Sequence, residues 1–472
     1  MLYQKLVEEH ISEPGVILSY ENQSLTMLQV HKVVMGILSA FQARGLMIGD
    51  RVLVTDVNPM GTALTLLACL AGGFVCVPIS HRLDKLTQSE IIRVCRPALI
   101  INDTPEEIAL TSLPERRILE KETLVYILFT SGSEGVPKGV TASQKQVSFC
   151  CQAISERLCL CHTDRILCTL PLSFDYGLYQ VFLSFWNRAA LFLDTGDTIQ
   201  RIPYLLNHYK ITIFPAVPTA LSILSRTGLL YRCRFPCLRT ITFTGEVLPI
   251  PLIQTLYALF PLVEIIPMYG LTECKRVSIM PPGKKNMVLA GSCGLPLDGV
   301  SVYLERKNQK NGIGQLVVEG ENVMEGYWGL LGKDGETFFH CAETGKYCVR
   351  TGDLFRIGQG GFLFFYGRIS DILKIRGHRI SGTWLESRLM TGTTSEIAAV
   401  GVTSSLTGEY SALLVSTDNP TEVESARIRA ELRKLPEYVK DIPLFFLDKP
   451  LPKTPNGKID RKMVKQIVEA ML

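Results

Sequence analysis

Short runs of apolar residues recur along the chain, and each ends at a Gly, Pro, Ser or Thr break followed by a helix-like stretch. Examples are RVLVTD, TLVYILFT, RILCTLPL, ITIFPAVP and ITFTGEVLP, with helical candidates at Thr219–Arg226 and Pro251–Leu259 behind the last two. Because the runs alternate with helices, they predict an α/β fold whose largely parallel strands are buried on both sides. Ligands are then expected on the loops at the carboxyl ends of the strands.

The stretch of residues 60–79 contains no charged residue and is long enough to span a bilayer. Glycine, threonine and proline interrupt it, which is typical of a folded core. The pattern predicts a buried helix over residues 61–71, a Gly-Gly turn and a strand over Phe74–Pro78. We therefore expect neither a membrane span nor a membrane partner.

The pattern changes near residue 300, where shorter strands such as GQLVVEG and GGFLFFYG are separated by glycines. Beyond Arg368 a polar turn leads into a smaller α+β segment. This segment has strand patterns near Ile397–Val402 and Tyr410–Ser416, a helix pattern near Val423–Arg433 and a last strand in PLFFLDK. We therefore predict a large N-terminal domain of layered sheets and helices over residues 1–369, and a small C-terminal α+β domain over residues 370–472.

The composition excludes some classes of protein. Apolar residues make up 47% of the chain and charged residues 20%, which is ample for a buried core. The net charge of +4 is small for 472 residues and is not gathered into a basic tail, so no nucleic-acid partner is expected. The opening residues MLYQKLVEEHISEP are charged and lack the apolar centre of a signal peptide, which predicts a cytoplasmic location.

Fourteen cysteines lie scattered between Cys69 and Cys348. They form no repeated CxxC pair, and no histidine stands at ligand spacing, so neither a disulfide framework nor a zinc site is expected. Buried free thiols are the preferred interpretation, and they fit a reducing cytosol.

The segment Tyr126–Gly139, YILFTSGSEGVPKG, joins a strand to a loop that suits phosphate chemistry. The loop has hydroxyls at Thr130, Ser131 and Ser133, glycines at Gly132, Gly135 and Gly139, and the single cation Lys138. Glycines let backbone N–H groups approach phosphate oxygens, hydroxyls add donors, and the lysine offsets phosphate charge. The loop differs from the G-x-x-x-x-G-K-[ST] motif, since proline precedes the lysine and glycine follows it. A Gly/Ser-rich surface turn is the alternative interpretation.

This loop resembles the signature of the acyl, aryl and aminoacyl adenylate-forming enzymes, which include acyl-CoA synthetases, luciferases and peptide-synthetase adenylation domains. Five further segments follow in the family's order: GEVLP at Gly245–Pro249, MYGLTE at Met268–Glu273, RTGDL at Arg350–Leu354, GRISDILKIRGHRI at Gly367–Ile380 and PNGKIDRK at Pro455–Lys462. With LACLAGGFVCVPI upstream, the resemblance covers nearly the whole chain. It implies an enzyme that uses ATP and Mg²⁺ to activate a carboxylic acid as an acyl-AMP.

The resemblance also implies a role for each matching residue. Gly245 and Glu246 would contact the purine, and Tyr269 would stack near the adenine. Gly270 would belong to the same ATP/AMP-binding set, in which Thr272 contacts the α-phosphate. Asp353 would accept both ribose hydroxyls, and Arg368 would lie beside the nucleotide. Glu273 would support a Mg²⁺ ion bound to the phosphates, because this hard cation prefers oxygen ligands. Lys458 would be the catalytic lysine, which approaches the substrate carboxylate and the bridging oxygen as a point charge.

Each short segment also has an ordinary alternative, since Glu273 could cap a helix, Asp353 could close a turn and Lys458 could be solvated. Ser370 stands at the implied hinge, about which the small domain would rotate between adenylation and thiol transfer. The family more often has Asp or Lys there. The chain departs from the family pattern at two other positions. It has Glu134 where the family often has threonine, and Gln144 where the family often has histidine.

The acid pocket is implied by LPLSFDYGLYQ, Leu170–Gln180. CoA ligases of the family often have histidine where this chain has Phe174, whereas amino-acid-activating members have Phe-Asp, whose aspartate holds the α-ammonium group. Asp175 matches that aspartate, and a carboxylate in an apolar pocket is costly without a cation. Asp175 also precedes the helix-like run GLYQVFLSFW, so an N-cap is the alternative role.

The sequence thus predicts activation of a small amino acid, or alternatively of a fatty, aryl or small organic acid, with release of pyrophosphate. The acyl group would then pass to a thiol of carrier-protein phosphopantetheine or of coenzyme A. No carrier-like Gly-Gly-Asp-Ser-Leu segment occurs in the chain, so we expect the acceptor to be a separate molecule. The third interpretation is a non-enzymatic binding protein of the same fold, which is disfavoured by the presence of Thr272, Glu273, Asp353, Arg368 and Lys458.

Overall fold

The computed structural model describes residues 2–102, 114–115, 117–130, 137–196, 199–245, 248–305, 312–329, 335–375, 378–390, 395–404, 408–417, 421–454 and 459–471. The helices are α1 Leu2–Leu6, α2 Met27–Ala43, α3 Pro59–Gly72, α4 Lys85–Cys95, α5 Gln144–Leu158, α6 Asp175–Asn187, α7 Ile202–His208, α8 Pro218–Arg226, α9 Ile250–Leu259, α10 Lys285–Leu289, α11 Gly382–Leu389, α12 Thr421–Leu432 and α13 Arg461–Ala470.

The first strands in the chain are β1 Val16–Tyr20, β2 Gln23–Thr26, β3 Arg51–Thr55, β4 Val75–Ile79, β5 Leu99–Ile101, β6 Leu124–Thr130, β7 Lys138–Ser143, β8 Arg165–Cys168, β9 Ala190–Leu193, β10 Ile213–Ala216, β11 Thr240–Phe243, β12 Glu264–Leu271 and β13 Cys274–Ile279. The later strands are β14 Leu295–Pro296, β15 Val300–Glu305, β16 Ile313–Gly320, β17 Gly326–Tyr327, β18 Phe338–His340, β19 Tyr347–Ile357, β20 Leu363–Arg368, β21 Ile372–Ile375, β22 His378–Ser381, β23 Glu396–Ser404, β24 Gly408–Ser416 and β25 Leu444–Leu447. Strands and helices alternate as the apolar runs indicate, so the predicted α/β class is confirmed.

Two large sheets organise the first part of the chain, in the orders β14-β13-β12-β11-β10-β8-β9-β1-β2 and β17-β7-β6-β4-β3-β5. Pairing is parallel from β1 through β9, β8, β10 and β11 to β12, and among β3, β4, β5 and β6. Antiparallel pairs lie towards the edges, where β2, β7, β13, β14 and β17 are added. Every residue of β4 and β10 is buried, as strands covered on both faces require.

Helix α3 and strand β4 confirm the interpretation of residues 60–79 as core. The Asn58 side chain accepts a hydrogen bond from the backbone N–H of Gly61 at 3.0 Å, which caps the start of α3. Gly73 ends the helix with φ of 73°, a conformation that glycine adopts without strain. Among the described residues, no helix is both long and apolar enough to cross a bilayer.

The later strands form the sheet β15-β16-β19-β18, with β20 added to β19, the pair β21-β22 and the sheet β23-β24-β25. Alternate residues of β23 and β24 enter two different apolar clusters, one against α11 and α12 and the other against α13. Both clusters lie within residues 373–468, apart from the main core of residues 2–363. The predicted strands and helix of this part are confirmed, and the boundary at residue 370 stays a prediction.

Candidate active site

Strands β12, β19 and β20 bring Tyr269, Asp353 and Arg368 together from distant segments. Asp353 and Arg368 are partners across the β19–β20 pair, and Arg368 Nε lies 3.3 Å from Asp353 Oδ1. The Tyr269 hydroxyl donates to Asp353 Oδ2 at 2.8 Å. The Asp353 side chain is 2% exposed and that of Arg368 is 52% exposed. The carboxylate is therefore held in a fixed position, while the guanidinium remains accessible to a ligand.

Tyr269 is buried and packs edge to face against Phe355, with ring centres 4.6 Å apart. Burial, with the neighbouring Asp353 carboxylate as the next cause, raises the pKa of the Tyr269 hydroxyl well above its usual value. The hydroxyl therefore stays protonated and continues to donate to Asp353. The implied contact of Tyr269 with adenine stays a prediction.

Thr130 and Lys138 are partners across the β6–β7 hairpin, so they stand at the two ends of the predicted phosphate loop. Lys138 Nζ lies 4.9 Å from the centre of the Tyr327 ring, and the Tyr327 hydroxyl donates to Glu273 Oε1 at 2.9 Å. Tyr327 is placed there because β17 pairs with β7. One tyrosine therefore contacts both the predicted phosphate-binding lysine and the predicted magnesium ligand.

The turn between β12 and β13 carries Thr272 and Glu273, both partly exposed. The described residues include no group of three or more side chains that could hold a metal ion by themselves. Mg²⁺ usually takes one or two carboxylates and completes its shell with phosphate oxygens and water. A single oriented carboxylate at Glu273 fits that chemistry.

Some predicted site residues lie outside the described part of the chain, namely Ser131, Gly132, Ser133, Gly135, Glu246 and Lys458. Gly245 follows β11 with φ of 96°, which favours glycine. Ser370 lies in the short 3-10 turn Ile369–Asp371, where its hydroxyl donates to Asp371 Oδ1 at 2.9 Å. The implied roles of all these residues stay predictions.

Asp175, in the predicted acid pocket, forms an ion pair with Lys275 of β13. Lys275 Nζ donates to Asp175 Oδ2 and to the Asp175 carbonyl oxygen, both at 2.7 Å. The Lys275 side chain is 1% exposed and the Asp175 side chain is 13% exposed. Lys275 Nζ also lies 4.3 Å from the centre of the Tyr179 ring. The chain itself therefore supplies an ammonium group beside this carboxylate.

Asp175 is the first residue of α6, and Phe174 occupies the N-cap position without a side-chain capping bond. The N-cap alternative for Asp175 is therefore wrong by one position. A negative charge in the first turn of a helix is still favourable, because it faces the positive end of the helix dipole. Phe174 itself is partly buried and packs against the main core.

The charge of Lys275 depends on pH in a defined direction. Burial lowers the pKa of Lys275 to about 8; the Asp175 carboxylate opposes this shift, and the Arg276 charge adds to it. Lysine in an unfolded chain has a pKa of about 10.4. Between these two values the unfolded chain binds more protons than the folded chain, so stability should increase with rising pH.

We therefore expect the free energy of unfolding of the wild type to rise between about pH 8 and pH 10.4 relative to that of Asp175→Asn/Lys275→Met. The double variant lacks both groups and should not show this contribution. Denaturant unfolding at several pH values measures the difference. If the free energy of unfolding of the wild type instead falls over this interval relative to the double variant, the folded protein does not disfavour the charged form of Lys275.

Lys275 and Tyr327 were not among the residues predicted from the sequence. The segment CKRVSI forms β13, in which all six residues are buried, and two adjacent basic residues in such a strand require partners. That pattern could have indicated Lys275. Tyr327 carried no comparable signal, because its position depends on pairing between β17 and a strand far away in the sequence.

Comparison with known proteins identifies the family of the chain. The family model described as AMP-binding enzyme matches residues 8–328. The chain is 28% identical over 495 aligned positions to the isonitrile lipopeptide synthase of Streptomyces coeruleorubidus, covering 97% of this chain and 33% of that protein. It is 29% identical over 364 positions to the L-proline--[L-prolyl-carrier protein] ligase of Pseudomonas fluorescens, covering 74% of this chain and 70% of that protein. The chain thus spans about a third of the length of the first of these relatives.

Among solved structures, o-succinylbenzoate coenzyme A synthetase (MenE) from Bacillus subtilis, in complex with ATP and magnesium, superposes with a TM-score of 0.83. The superposition covers 98% of this chain and 99% of that chain at 22% sequence identity, so it shows that the fold is shared. The family match extends over more than half of the chain and includes three of the six motif segments. The resemblance predicted from these segments is confirmed: the chain belongs to the family of AMP-binding enzymes.

Proposed function

We propose that the chain activates a carboxylic acid with ATP, releases pyrophosphate and transfers the acyl group from the acyl-AMP to a thiol. The observation that carries the proposal is the convergence of Tyr269, Asp353 and Arg368. A fixed carboxylate can accept hydrogen bonds from ribose hydroxyls, and an accessible guanidinium can bind phosphate oxygens. The thiol would belong to carrier-protein phosphopantetheine or to coenzyme A, and the reaction would take place in the cytoplasm.

The proposed chemistry is two displacements. A carboxylate oxygen of the acid attacks the α-phosphorus of ATP, the bond from that phosphorus to the bridging oxygen breaks, and pyrophosphate leaves with the electron pair. The thiolate of the acceptor then attacks the acyl carbon, and AMP leaves with the second electron pair. Such steps need little covalent help from the protein, so positioning and charge neutralisation supply most of the rate.

Each proposed role falls on a group that suits it. Lys138 and the loop that it closes would bind the β- and γ-phosphates, Thr272 the α-phosphate, and Lys458 the substrate carboxylate and the bridging oxygen. Glu273 would hold Mg²⁺, which neutralises phosphate charge when bound. We also propose that residues 370–472 form a mobile lid that turns about Ser370, so that Lys458 is present only for adenylation.

For the acid, we propose a molecule without an α-ammonium group, the alternative that the sequence left open. Asp175 would hold that ammonium in an amino-acid-activating enzyme, but its Oδ2 lies 2.7 Å from Lys275 Nζ. Lys275 is almost completely buried. A second ammonium group in this position would meet a like charge in a site that water screens poorly.

A small amino acid is the second candidate, and the similarity to an L-proline--[L-prolyl-carrier protein] ligase favours it. In that case Lys275 would have to leave Asp175 to the substrate. The lowered pKa of Lys275, about 8, makes its neutral form more accessible than that of an ordinary lysine.

Exchange of labelled pyrophosphate into ATP, measured with amino acids and with their deaminated analogues, separates the two candidates. We expect the deaminated acids to support exchange at least about tenfold faster, because the substrate then adds no ammonium group to the positive charge of Lys275. The reverse preference would favour the amino acid. No exchange with any amino, fatty, aryl or small organic acid would contradict the ligase activity itself.

Asp353→Ala is expected to weaken ATP binding by about 10- to 100-fold without changing the order in which acids are preferred, since ribose is common to every reaction. The apparent affinity for ATP, measured with several acids, tests this. Asp298→Ala is the control, because Asp298 is also paired with an arginine, Arg157 at 3.4 Å, but is 92% exposed and is not among the predicted nucleotide residues. A changed order of acids in Asp353→Ala would show that Asp353 is not a ribose ligand.

A further inference from the structure

Arg276 is a second buried cation beside the Asp175–Lys275 pair. The residue is 3% exposed, and its guanidinium lies 5.0 Å from the centre of the Tyr176 ring. Its Nε atom is buried and has no hydrogen-bond partner. The salt bridges of the described residues include none to Arg276, although they include those of other buried or half-buried cations. Arg276 is therefore a buried guanidinium for which the described chain supplies no anion.

The backbone of β13 presents both cations to the start of α6. Gly270 of β12 faces three residues of β13 across a shift in register, and within this bulge Arg276 has φ of 49°. A side-chain carbon at Gly270 would stand 2.7 Å from the Arg276 nitrogen, so the bulge requires glycine there. Adjacent strand residues ordinarily point to opposite faces, but here both cations reach the first turn of α6. Bulges and strained backbone of this kind are concentrated at functional sites.

The charges at the start of α6 do not balance. Asp175 carries one negative charge, whereas Lys275 and Arg276 together carry two positive charges. The Asp175 carboxylate is already engaged by Lys275 at 2.7 Å. A guanidinium keeps its charge at every physiological pH, and a buried charge without a counterion is costly. A ligand that brings an anionic group would supply the missing charge.

The space beside Arg276 limits the size of that group. An internal cavity of about 10 Å³ is lined by Arg276, Tyr176, Gln180, Thr242 and Met268, among others. This volume holds about one water-sized group. Most of the other lining residues are apolar, and Arg276 is the charged residue of this lining, so an oxygen atom placed there would find its charged partner in the guanidinium. Tyr176 follows the predicted acid-pocket aspartate in the sequence and Met268 precedes Tyr269, so the lining includes neighbours of residues predicted to bind the acid and the nucleotide.

We propose that Arg276 determines the acid specificity by binding a second carboxylate, so that the substrate is a short dicarboxylic acid. The inference rests on the proposed ligase function and names the substrate class within it. One carboxylate would attack ATP, and the distal carboxylate would accept charge-assisted hydrogen bonds from Arg276, with one oxygen in the cavity. A dicarboxylic acid would also leave the Asp175–Lys275 pair intact.

Pyrophosphate exchange by the wild type with acids of equal chain length tests the proposal. The pairs are malonate with propionate, succinate with butyrate, and glutarate with valerate. We expect kcat/KM for at least one dicarboxylate to exceed that of its monocarboxylate partner by at least about 100-fold, the effect of one buried charge pair. Monocarboxylates that are activated as well as their partners in every pair would overturn the proposal.

Arg276→Met should remove this preference, with kcat/KM falling about 100-fold for the dicarboxylate and little for the monocarboxylate. Arg276→Lys keeps a cation and should retain part of the preference. Arg356→Met is the matched control, because Arg356 also lies over an aromatic ring, 4.5 Å from the centre of Phe364, but on β19. Thermal melts establish that each variant is folded. If Arg276→Met does not fold, the proposal is tested by the dicarboxylate-to-monocarboxylate ratios of kcat/KM in the wild type and in Arg276→Lys.

Two further outcomes separate this inference from the proposed function. Equal losses for both acids of a pair in folded Arg276→Met would overturn the inference, since Arg276 would then serve the reacting carboxylate or the fold. Exchange that occurs only with amino acids, fatty acids or aryl acids would also overturn it, while the ligase activity stands. Absence of exchange with every acid would instead contradict the proposed function.

Discussion

Lys458→Ala is expected to slow acyl-AMP formation by at least about 100-fold, while acyl transfer from preformed acyl-AMP to the thiol survives. In our account, the charge of Lys458 stabilises the bridging oxygen and the substrate carboxylate only during adenylation. In the same account, the proposed rotation of residues 370–472 about Ser370 would then remove the lysine from the site before the thiol attacks. Single-turnover assays that start each half-reaction separately measure the two rates.

Lys462→Ala is the matched control for this experiment, because Lys462 is an exposed lysine on α13 only four positions along the chain. It should change neither half-reaction. Equal loss of both half-reactions in Lys458→Ala would show that Lys458 does not act in adenylation alone. It would also remove the reason for proposing a rotating lid.

Asp175→Asn and Lys275→Met are each expected to lower the free energy of unfolding by about 3–5 kcal/mol. Each change leaves one buried charge without its partner, since Lys275 is 1% exposed and Asp175 is 13% exposed. The double variant should lose much less than the sum of the two, because it buries no unpaired charge. Denaturant unfolding of the four proteins completes the cycle.

The exposed pair Lys434–Glu431 provides a control cycle of the same charge type, with side-chain exposures of 68% and 26%. Its coupling should be about 1 kcal/mol or less, because solvent screens the charges and the side chains lose conformational freedom in pairing. Additive losses at residues 175 and 275 would mean that the two buried groups do not depend on one another. The argument against an α-ammonium group in the pocket would then fail.

Much of the fold follows from the sequence because burial leaves a clear pattern. The runs RVLVTD, ITIFPAVP and ITFTGEVLP became β3, β10 and β11, and the helix predicted over residues 61–71 became α3. The strands of the C-terminal part were also predictable, since alternate residues of β23 and β24 enter different cores. The segments with nucleotide chemistry were identifiable because glycines, hydroxyls and charged residues are seldom combined in this way except where they bind phosphate or ribose.

The contacts across strands were not predictable, because they depend on which distant residues the sheets place together. Asp175 was identified as a carboxylate that needs a cation, yet the cation proved to be Lys275 of the chain itself, 100 residues away. The bulge opposite Gly270 breaks the alternation of side chains on which strand prediction relies. No sequence pattern therefore indicated that the side chains of Lys275 and Arg276 would both lie beside the start of α6.

The most direct test of the central claim is the fate of a carboxylate oxygen. An acid carrying a heavy oxygen isotope in its carboxylate is incubated with the protein, ATP, Mg²⁺ and a thiol acceptor, and the products are examined by mass spectrometry. If the carboxylate attacks the α-phosphorus, the AMP that the thiol later displaces should carry one heavy oxygen and the pyrophosphate none. Heavy oxygen in inorganic phosphate would contradict adenylation. Formation of the thioester without heavy oxygen in AMP or in phosphate would contradict it as well.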